Sequence, residues 1–211
     1  MWGEQLLLFA AYKLRYCWRK LTNCWLDNPV VVLMCIIAAN CSIEVLAYGS
    51  NTEGIPRYGY VKLNTVPVWQ ASWGGIFPNL RGVNTLLVDP FNCSLQEWHQ
   101  FDTWGDPSAG AVLNNYLQQV KDGRILVGVT ADEPTRYLGY ALATLREMGA
   151  DVSDVQGRGS FGFVAQKGFP EKTVLRKALT EEESFVNQPR FNVTVTGRYK
   201  LLWKMTPCQH A

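Results

Sequence analysis

The 211-residue sequence has only two histidines and little of what a catalytic or metal site requires. His99 falls within a predicted strand, where a solvent-facing or core-edge position is typical, and His210 is the penultimate residue. No G-x-S-x-G, H-E-x-x-H or C-x-x-C motif occurs, so the sequence shows no recognisable hydrolase, metalloprotease or zinc site. We therefore expect a non-enzymatic protein that uses no cofactor and no metal.

The body of the chain also lacks an excess of charge of either sign. Positions 29–211 contain 16 basic and 16 acidic residues, whereas the first 28 residues carry a net charge of +2. Nucleic-acid binding normally depends on a basic face that neutralises phosphates. The balanced body therefore predicts that the partner is not a nucleic acid.

The apolar run VVVLMCIIAA at residues 30–39 is too short to cross a bilayer, which takes about 20 residues. A basic segment precedes the run, as in a secretory signal peptide. We predict a leader at residues 1–42, with cleavage near residues 39–42, and a secreted product. A retained signal anchor, placing the protein in the Golgi or plasma membrane, and a wrongly assigned first exon are the alternatives.

Three N-glycosylation sequons and the cysteines also favour the secretory pathway. The sequons begin at Asn40, Asn92 and Asn192, and we predict glycans at Asn92 and Asn192. Six cysteines are present: Cys17, Cys24 and Cys35 precede the expected cleavage region, and Cys41, Cys93 and Cys208 are counted with the body. An odd number in the body implies one disulfide and one free thiol, or a bridge to a retained leader. Buried, reduced cysteines in a cytosolic protein are the alternative.

Hydrophobic periodicity predicts a mixed fold that starts with an antiparallel meander. The predicted strands are residues 43–49, 58–64, 66–72, 83–89 and 95–102. A helix then begins at Asp106-Pro107, with one apolar face formed by Ala109, Leu113, Tyr116, Leu117 and Val120. A buried strand at 124–130, a second helix that starts in ADEPT and ends at Gly149, and a strand at 161–167 follow.

The stretch GRGSFGFV at residues 157–164 matches the glycine-rich loop of kinases, G-x-G-x-x-G-x-V. Such a loop needs a strand before it and a helix after it, or a kinase hairpin with later H-R-D and D-F-G motifs. Here a predicted helix precedes the glycines, and neither motif follows. We therefore interpret the glycines as a connection into a strand, placed where the backbone bends or packs closely.

From residue 43 to about residue 208 the chain resembles the interleukin-like EMT inducer domain, also called the PANDER-like or GG domain. The segments that carry the resemblance occur in the family's order: GYVKLN, RGVNTLLVDP, FDTWGDP, VKDGRILVGVTADE, ALATLREMGADVSDV and FGFVAQKG. It implies a single secreted or luminal α/β (α+β) domain, residues 43–208, in which two antiparallel β-sheets form a sandwich flanked by helices.

The resemblance also implies a non-catalytic interaction module. The family includes cytokine-like secreted proteins, a carbohydrate-binding stem domain of a Golgi glycosyltransferase and domains of hyaluronan-handling cell-surface proteins. We therefore expect a cytokine-like or carbohydrate-binding protein whose partner is a glycan or a cell-surface receptor. A stem-type domain of a Golgi glycosyltransferase or of a hyaluronan-handling protein is the alternative, favoured if the leader is retained.

By matched motif, the glycan-binding residues of the family fall on Arg81, Asp132 and Arg158. The family often has an Arg-Asp pair before an aromatic residue, whereas this chain has Arg158-Gly159-Ser160-Phe161, so the carboxylate is lost. Structural ion pairs of both arginines with Asp132 are the alternative interpretation. The family also has a cysteine beside a proline near the end of the domain, which implies that Cys208 pairs with Cys41 or Cys93.

Overall fold

The computed structural model describes residues 32–49, 57–73 and 76–204. The chain divides into two units, of which Ala39–Gly197 is the larger, and Met1–Ala38 together with Arg198–Ala211 the smaller. In the smaller unit, residues 32–38 and 198–204 are extended strand. The candidate site and both hydrophobic cores lie in the larger unit.

The described residues form two antiparallel sheets. The strands are β1 (Val32–Leu46), β2 (Arg57–Leu63), β3 (Val66–Trp73), β4 (Gly82–Asp89), β5 (Ser94–Phe101), β6 (Ile125–Ala131), β7 (Ser160–Gln166), β8 (Phe169–Ala178) and β9 (Arg190–Lys204). The four-stranded sheet has the order β3-β2-β1-β9, and the five-stranded sheet has the order β5-β4-β6-β7-β8. The helices are α1 (Ala109–Gln119), a 3-10 turn (Gly139–Ala141), α2 (Leu142–Glu147) and α3 (Glu181–Val186). This arrangement confirms the predicted sandwich with flanking helices.

Two hydrophobic cores cover the two faces of the five-stranded sheet. The first lies between the sheets, where Val45 and Val61 pack with Val127 and other apolar residues of the five-stranded sheet. The second lies between that sheet and the helices, where Leu113 packs with Phe163. Because both faces are covered, all seven residues of β6 and all seven of β7 are buried. Continuous burial explains why these strands lack alternating polar positions.

Helix α1 confirms the first helix prediction, although it begins later than expected. Its buried face includes Leu113 and Leu117, both at 0% exposure. The helix starts at Ala109 and not at Pro107, because the Asp106 side chain accepts hydrogen bonds from the backbone and hydroxyl of Ser108. These bonds hold residues 106–108 in a turn that precedes the first helical residue.

The second predicted helix is shorter than expected. It begins only at the 3-10 turn: Ala131, the first residue of ADEPT, ends β6, and residues 132–138 do not form helix. The Glu133 carboxylate accepts bonds from the backbone and hydroxyl of Thr135, so it stabilises a local turn and not a helix terminus. The prediction that the second helix starts in ADEPT was therefore wrong.

The glycine-rich stretch leads into β7, as its interpretation as a connection required. A Cβ atom on Gly159 would lie 2.7 Å from the carbonyl oxygen of Ala178, and one on Gly162 would lie 2.8 Å from Cγ1 of Val45. Close packing therefore accounts for these two glycines. The surrounding order of elements is not that of a phosphate-binding loop.

Candidate functional site

Strand pairing brings Arg81, Asp132 and Arg158 to one end of the five-stranded sheet. Gly82 of β4 lies opposite Ala131 of β6, so Arg81 and Asp132 are the adjacent residues just beyond that pair. β6 also pairs with β7 in antiparallel register, and Arg158 lies two residues before β7. Neighbouring strands are about 4.8 Å apart, so backbone positions on β4 and β7 are separated by about 10 Å.

Two of these three residues have a left-handed backbone conformation. The φ angle is 60° at Asp132 and 66° at Arg158. Residues other than glycine rarely adopt this conformation, and such residues are concentrated at functional sites. The structure therefore holds both side chains in directions that an extended strand would not provide.

Arg81 forms a two-fold ion pair with Asp102. Its Nε donates to Oδ1 at 2.9 Å, and its Nη2 donates to Oδ2 at 2.7 Å. The backbone N–H of Gly105 also donates to Asp102, at 2.9 Å. The bonds from Arg81 are the main reason that the pKa of Asp102 is lowered, and bonding to Asp102 raises the pKa of Arg81. The pair orients the Arg81 guanidinium, about one third of whose side chain is exposed.

Asp132 belongs to a polar chain that runs from the sheet end into the core. Its Oδ2 accepts from Nδ2 of Asn79 at 3.4 Å, and Oδ1 of Asn79 accepts from the Tyr48 hydroxyl, also at 3.4 Å. Tyr48 is fully buried, and this burial raises its pKa, with a further contribution from the negative charge of Asp132. The same charge contributes to the raised pKa of Arg81. Asp132 therefore acts electrostatically on Arg81 while its hydrogen bond goes to Asn79.

Arg158 is held at both its backbone and its side chain. Its backbone N–H donates to Oε2 of Glu133, a carboxylate that is 5% exposed. Its Nη1 lies 3.2 and 3.3 Å from the two carboxylate oxygens of Glu181, the first residue of α3. Nearly half of the Arg158 side chain is exposed, so the guanidinium remains accessible from solvent.

The alternative interpretation correctly predicted that both arginines form ion pairs, but it was wrong to name Asp132 as their partner. Arg81 pairs with Asp102 and Arg158 pairs with Glu181, and neither ion pair involves Asp132. The sequence reasoning missed both partners. Asp102 falls within the quoted motif FDTWGDP, which could have identified it, whereas Glu181 is one of three adjacent glutamates that carry no recognisable motif.

The disulfide differs from the one that the resemblance implied. Cys41 of β1 bonds to Cys93 in the turn between β4 and β5, with Cα atoms 5.1 Å apart. The predicted bridge from Cys208 to one of these cysteines was therefore wrong, because Cys41 and Cys93 are bonded to each other. Cys208 itself lies outside the described residues, as do Cys17 and Cys24 of the predicted leader.

The sequon asparagines Asn92 and Asn192 are both exposed, and glycosylation at each stays a prediction. His99 of β5 is also exposed, with its ring 4.8 Å from that of Tyr116, which agrees with the solvent-facing or core-edge position expected of it. Within the described ranges, no three acidic, cysteine or histidine side chains are grouped as metal ligands. Over the same ranges, the helices are too short or too polar to span a membrane.

The fold and the polar sheet end define an α+β sandwich domain with clustered charged groups where three strands begin or end. Residues 81–169 match the family model described as interleukin-like EMT inducer, which confirms the resemblance over this part of the chain. The matched region extends from Arg81 to the first residue of β8 and includes Asp132 and Arg158. The matched model describes a family of cytokine-like, extracellular domains. Comparison with curated proteins returned no match.

Proposed function

We propose that this protein is a non-catalytic extracellular interaction module that binds a glycan, on its own or on a cell-surface receptor, at the sheet end formed by Arg81, Asp132 and Arg158. The observation that carries the proposal is that these three residues lie at three neighbouring strand ends. They are distant in sequence, and the antiparallel register of β4, β6 and β7 places them at the same end of the sheet.

The chemistry of the three groups suits sugar hydroxyls. A guanidinium has five N–H donors, and the bonds from Arg81 to Asp102 leave donors that can point to a ligand. Asp132 is an acceptor for hydroxyl protons, and Arg158 adds a second donor group. A sugar hydroxyl both donates and accepts, so a carboxylate next to an arginine can satisfy it fully. The backbone separation of about 10 Å across the site favours an oligosaccharide over a single hydroxyl.

Local strain supports a functional role for the same residues. A left-handed conformation at a residue other than glycine costs about 1–3 kcal/mol. Asp132 and Arg158 both adopt it, and a Glu133 carboxylate with little solvent exposure holds the Arg158 backbone. Strain that the surrounding structure enforces at two positions of the candidate site supports a binding role for them.

A glycan array probed with the full chain tests the proposal directly. Arg158→Ala should weaken binding about 10- to 150-fold, the effect of losing one charge-assisted hydrogen bond. Arg124→Ala is the matched control, because Arg124 pairs with Asp89 at 3.2 Å at the opposite end of β4 and β6. The seven residues of β6 place that pair about 20 Å from the site. Binding that both variants weaken equally would contradict a site at this sheet end.

The proposed location is extracellular, and the Cys41–Cys93 disulfide and exposed sequons support it. Disulfides form and persist in oxidising compartments. Expression in secretory eukaryotic cells should release a soluble product whose mobility shifts after glycosidase treatment. Retention of the full chain in a membrane fraction would favour the stem-type alternative, and an unshifted cytosolic product would contradict secretion.

A further inference from the structure

The Cys41–Cys93 disulfide joins the middle residues of two N-glycosylation sequons. Asn40-Cys41-Ser42 lies within β1, and Asn92-Cys93-Ser94 spans the turn into β5. Both cysteine side chains are buried, with 0% exposure at Cys41 and 9% at Cys93, whereas Asn40 and Asn92 are exposed. The two acceptor asparagines therefore flank one covalent link that extends into the core between the sheets.

Hydrogen bonds also engage the side-chain groups of the sequons that a glycan-transferring enzyme must recognise. Such an enzyme recognises the asparagine amide together with the hydroxyl two residues later. In the fold, Oδ1 of Asn92 accepts from the hydroxyl of Ser94 at 2.7 Å and from its backbone N–H at 3.1 Å. The hydroxyl of Ser42 donates to Oδ1 of Asn192, the acceptor residue of the third sequon, at 3.2 Å. The folded chain thus engages recognition groups in all three sequons.

We propose that closure of the Cys41–Cys93 disulfide blocks N-glycosylation of both Asn40 and Asn92, so that glycan transfer must come first. Once the bond closes, Cys41 is tethered in the core and cannot leave β1 with its neighbours Asn40 and Ser42. Cys93 is tethered by the same bond, which restricts the Asn92 turn. The inference rests on the proposed secretory location, because both reactions belong to that pathway.

The two reactions use different atoms and compete only through conformation. In glycan transfer, the asparagine side-chain nitrogen attacks C1 of a sugar carried on a lipid pyrophosphate. An N–C bond forms, the C1–O bond to the phosphate breaks, and the nitrogen loses a proton. In disulfide closure, the two thiols lose two electrons and two protons to a protein disulfide, which is reduced to a dithiol. The order of the two events therefore decides whether Asn40 and Asn92 carry glycans.

Single cysteine variants of the full chain, made in secretory eukaryotic cells, test this order. Cys93→Ser opens the bond but leaves the Asn40 sequon unaltered, and Cys41→Ser does the same for the Asn92 sequon. The readout is the glycosylated fraction of the sequon left unaltered, measured by peptide mass spectrometry after glycosidase release. We expect this fraction to rise above that of the parent chain in each variant. An unchanged fraction at both unaltered sequons would overturn the proposal.

Two controls distinguish an effect of the disulfide from general destabilisation of the fold and from a location outside the secretory pathway. Leu86→Ala removes a fully buried side chain from the same core without touching the bond, and it should leave both fractions at the parental level. A rise equal to that of the cysteine variants would overturn the proposal, because general destabilisation would explain it. If Asn192 is glycosylated but the glycosylated fractions at Asn40 and Asn92 do not change in the cysteine variants, only this inference is overturned. If none of the three sequons is modified, the secretory location is overturned as well.

Discussion

Arg81 and Asp102 are joined by two parallel hydrogen bonds of 2.9 and 2.7 Å, although 21 residues separate them in the sequence. Both side chains are about one third exposed, so solvent screens their attraction. A double-mutant cycle of Arg81→Ala and Asp102→Ala, measured by urea unfolding, should give a coupling of about 1 kcal/mol. A coupling near zero would mean that the pair orients Arg81 without stabilising the fold.

The left-handed backbone at Arg158 predicts that a glycine variant at this position is more stable than an alanine variant, the reverse of the usual order. Arg158→Gly should be more stable than Arg158→Ala by about 1 kcal/mol, because glycine adopts a φ of 66° without steric cost. Thermal unfolding of both variants measures the difference. The same two substitutions at Arg124, whose φ is not positive, should give the reverse order. Equal midpoints for the two Arg158 variants would contradict strain at this position.

The disulfide closes a long loop, since Cys41 and Cys93 are 52 residues apart. Loop-closure entropy predicts that the bond stabilises the fold by about 4 kcal/mol. Replacing both cysteines by alanine should lower the free energy of unfolding by about this amount, measured in guanidinium. Cys208→Ala should have no comparable effect. A large loss with Cys208→Ala would restore the pairing that the family resemblance implied.

The disulfide also limits where the leader can be cleaved. Cleavage was expected near residues 39–42, but Cys41 is fully buried and bonded, and the backbone N–H of Ser42 donates to Oδ1 of Asn64 at 3.0 Å. We therefore predict that a cleaved product begins at Cys41 or earlier. Intact-mass measurement of the secreted, deglycosylated protein gives the terminus. A product beginning at Ser42 or later would contradict the structural role of Cys41.

The lowered pKa of Glu44 predicts that the stability of the fold changes at acidic pH. Its carboxylate accepts from the Tyr60 hydroxyl, from Lys62 and from Arg190, which together lower its pKa to about 2. A carboxylate with a depressed pKa stabilises the fold above its unfolded pKa of about 4.3, and this stabilisation disappears as the pH falls towards 2.

Glu44→Gln should therefore lower the free energy of unfolding by about 1–2 kcal/mol at neutral pH, since solvent screens a partly exposed carboxylate. The difference from the parent chain should shrink between about pH 4.3 and pH 2. Urea unfolding across this range measures it, with the exposed Glu147→Gln as a comparison. A difference that does not depend on pH would contradict the charge-based explanation.

The parts of the fold that were predictable from the sequence are those with a clear local pattern. The apolar face of α1 and the buried run of β6 follow from residue spacing alone, because periodicity records which side of an element meets the core. The sandwich itself followed from the family resemblance. β8 was not predicted, because its residues are mostly exposed or half-buried and polar, as in an edge strand.

Short elements that depend on distant contacts were also missed. Helix α3 has only six residues, three of them glutamate, and isolated helices of this length are unstable in water. Its buried Ser184 accepts from the backbone N–H of Gly49 and shares a hydrogen bond with the Ser160 hydroxyl. These contacts join parts of the chain more than 20 residues apart, so the three adjacent glutamates do not by themselves indicate a helix.

The sequence by itself determined the composition of the candidate site, since Arg81, Asp132 and Arg158 could be named from matched motifs. Only the tertiary structure decided their partners: Asp102 for Arg81, Glu181 for Arg158 and Asn79 for Asp132. It also decided that Cys41 bonds to Cys93. The physical reason is that hydrogen bonds, ion pairs and disulfides form wherever strand register brings groups together, and antiparallel pairing places residues side by side whatever their separation along the chain.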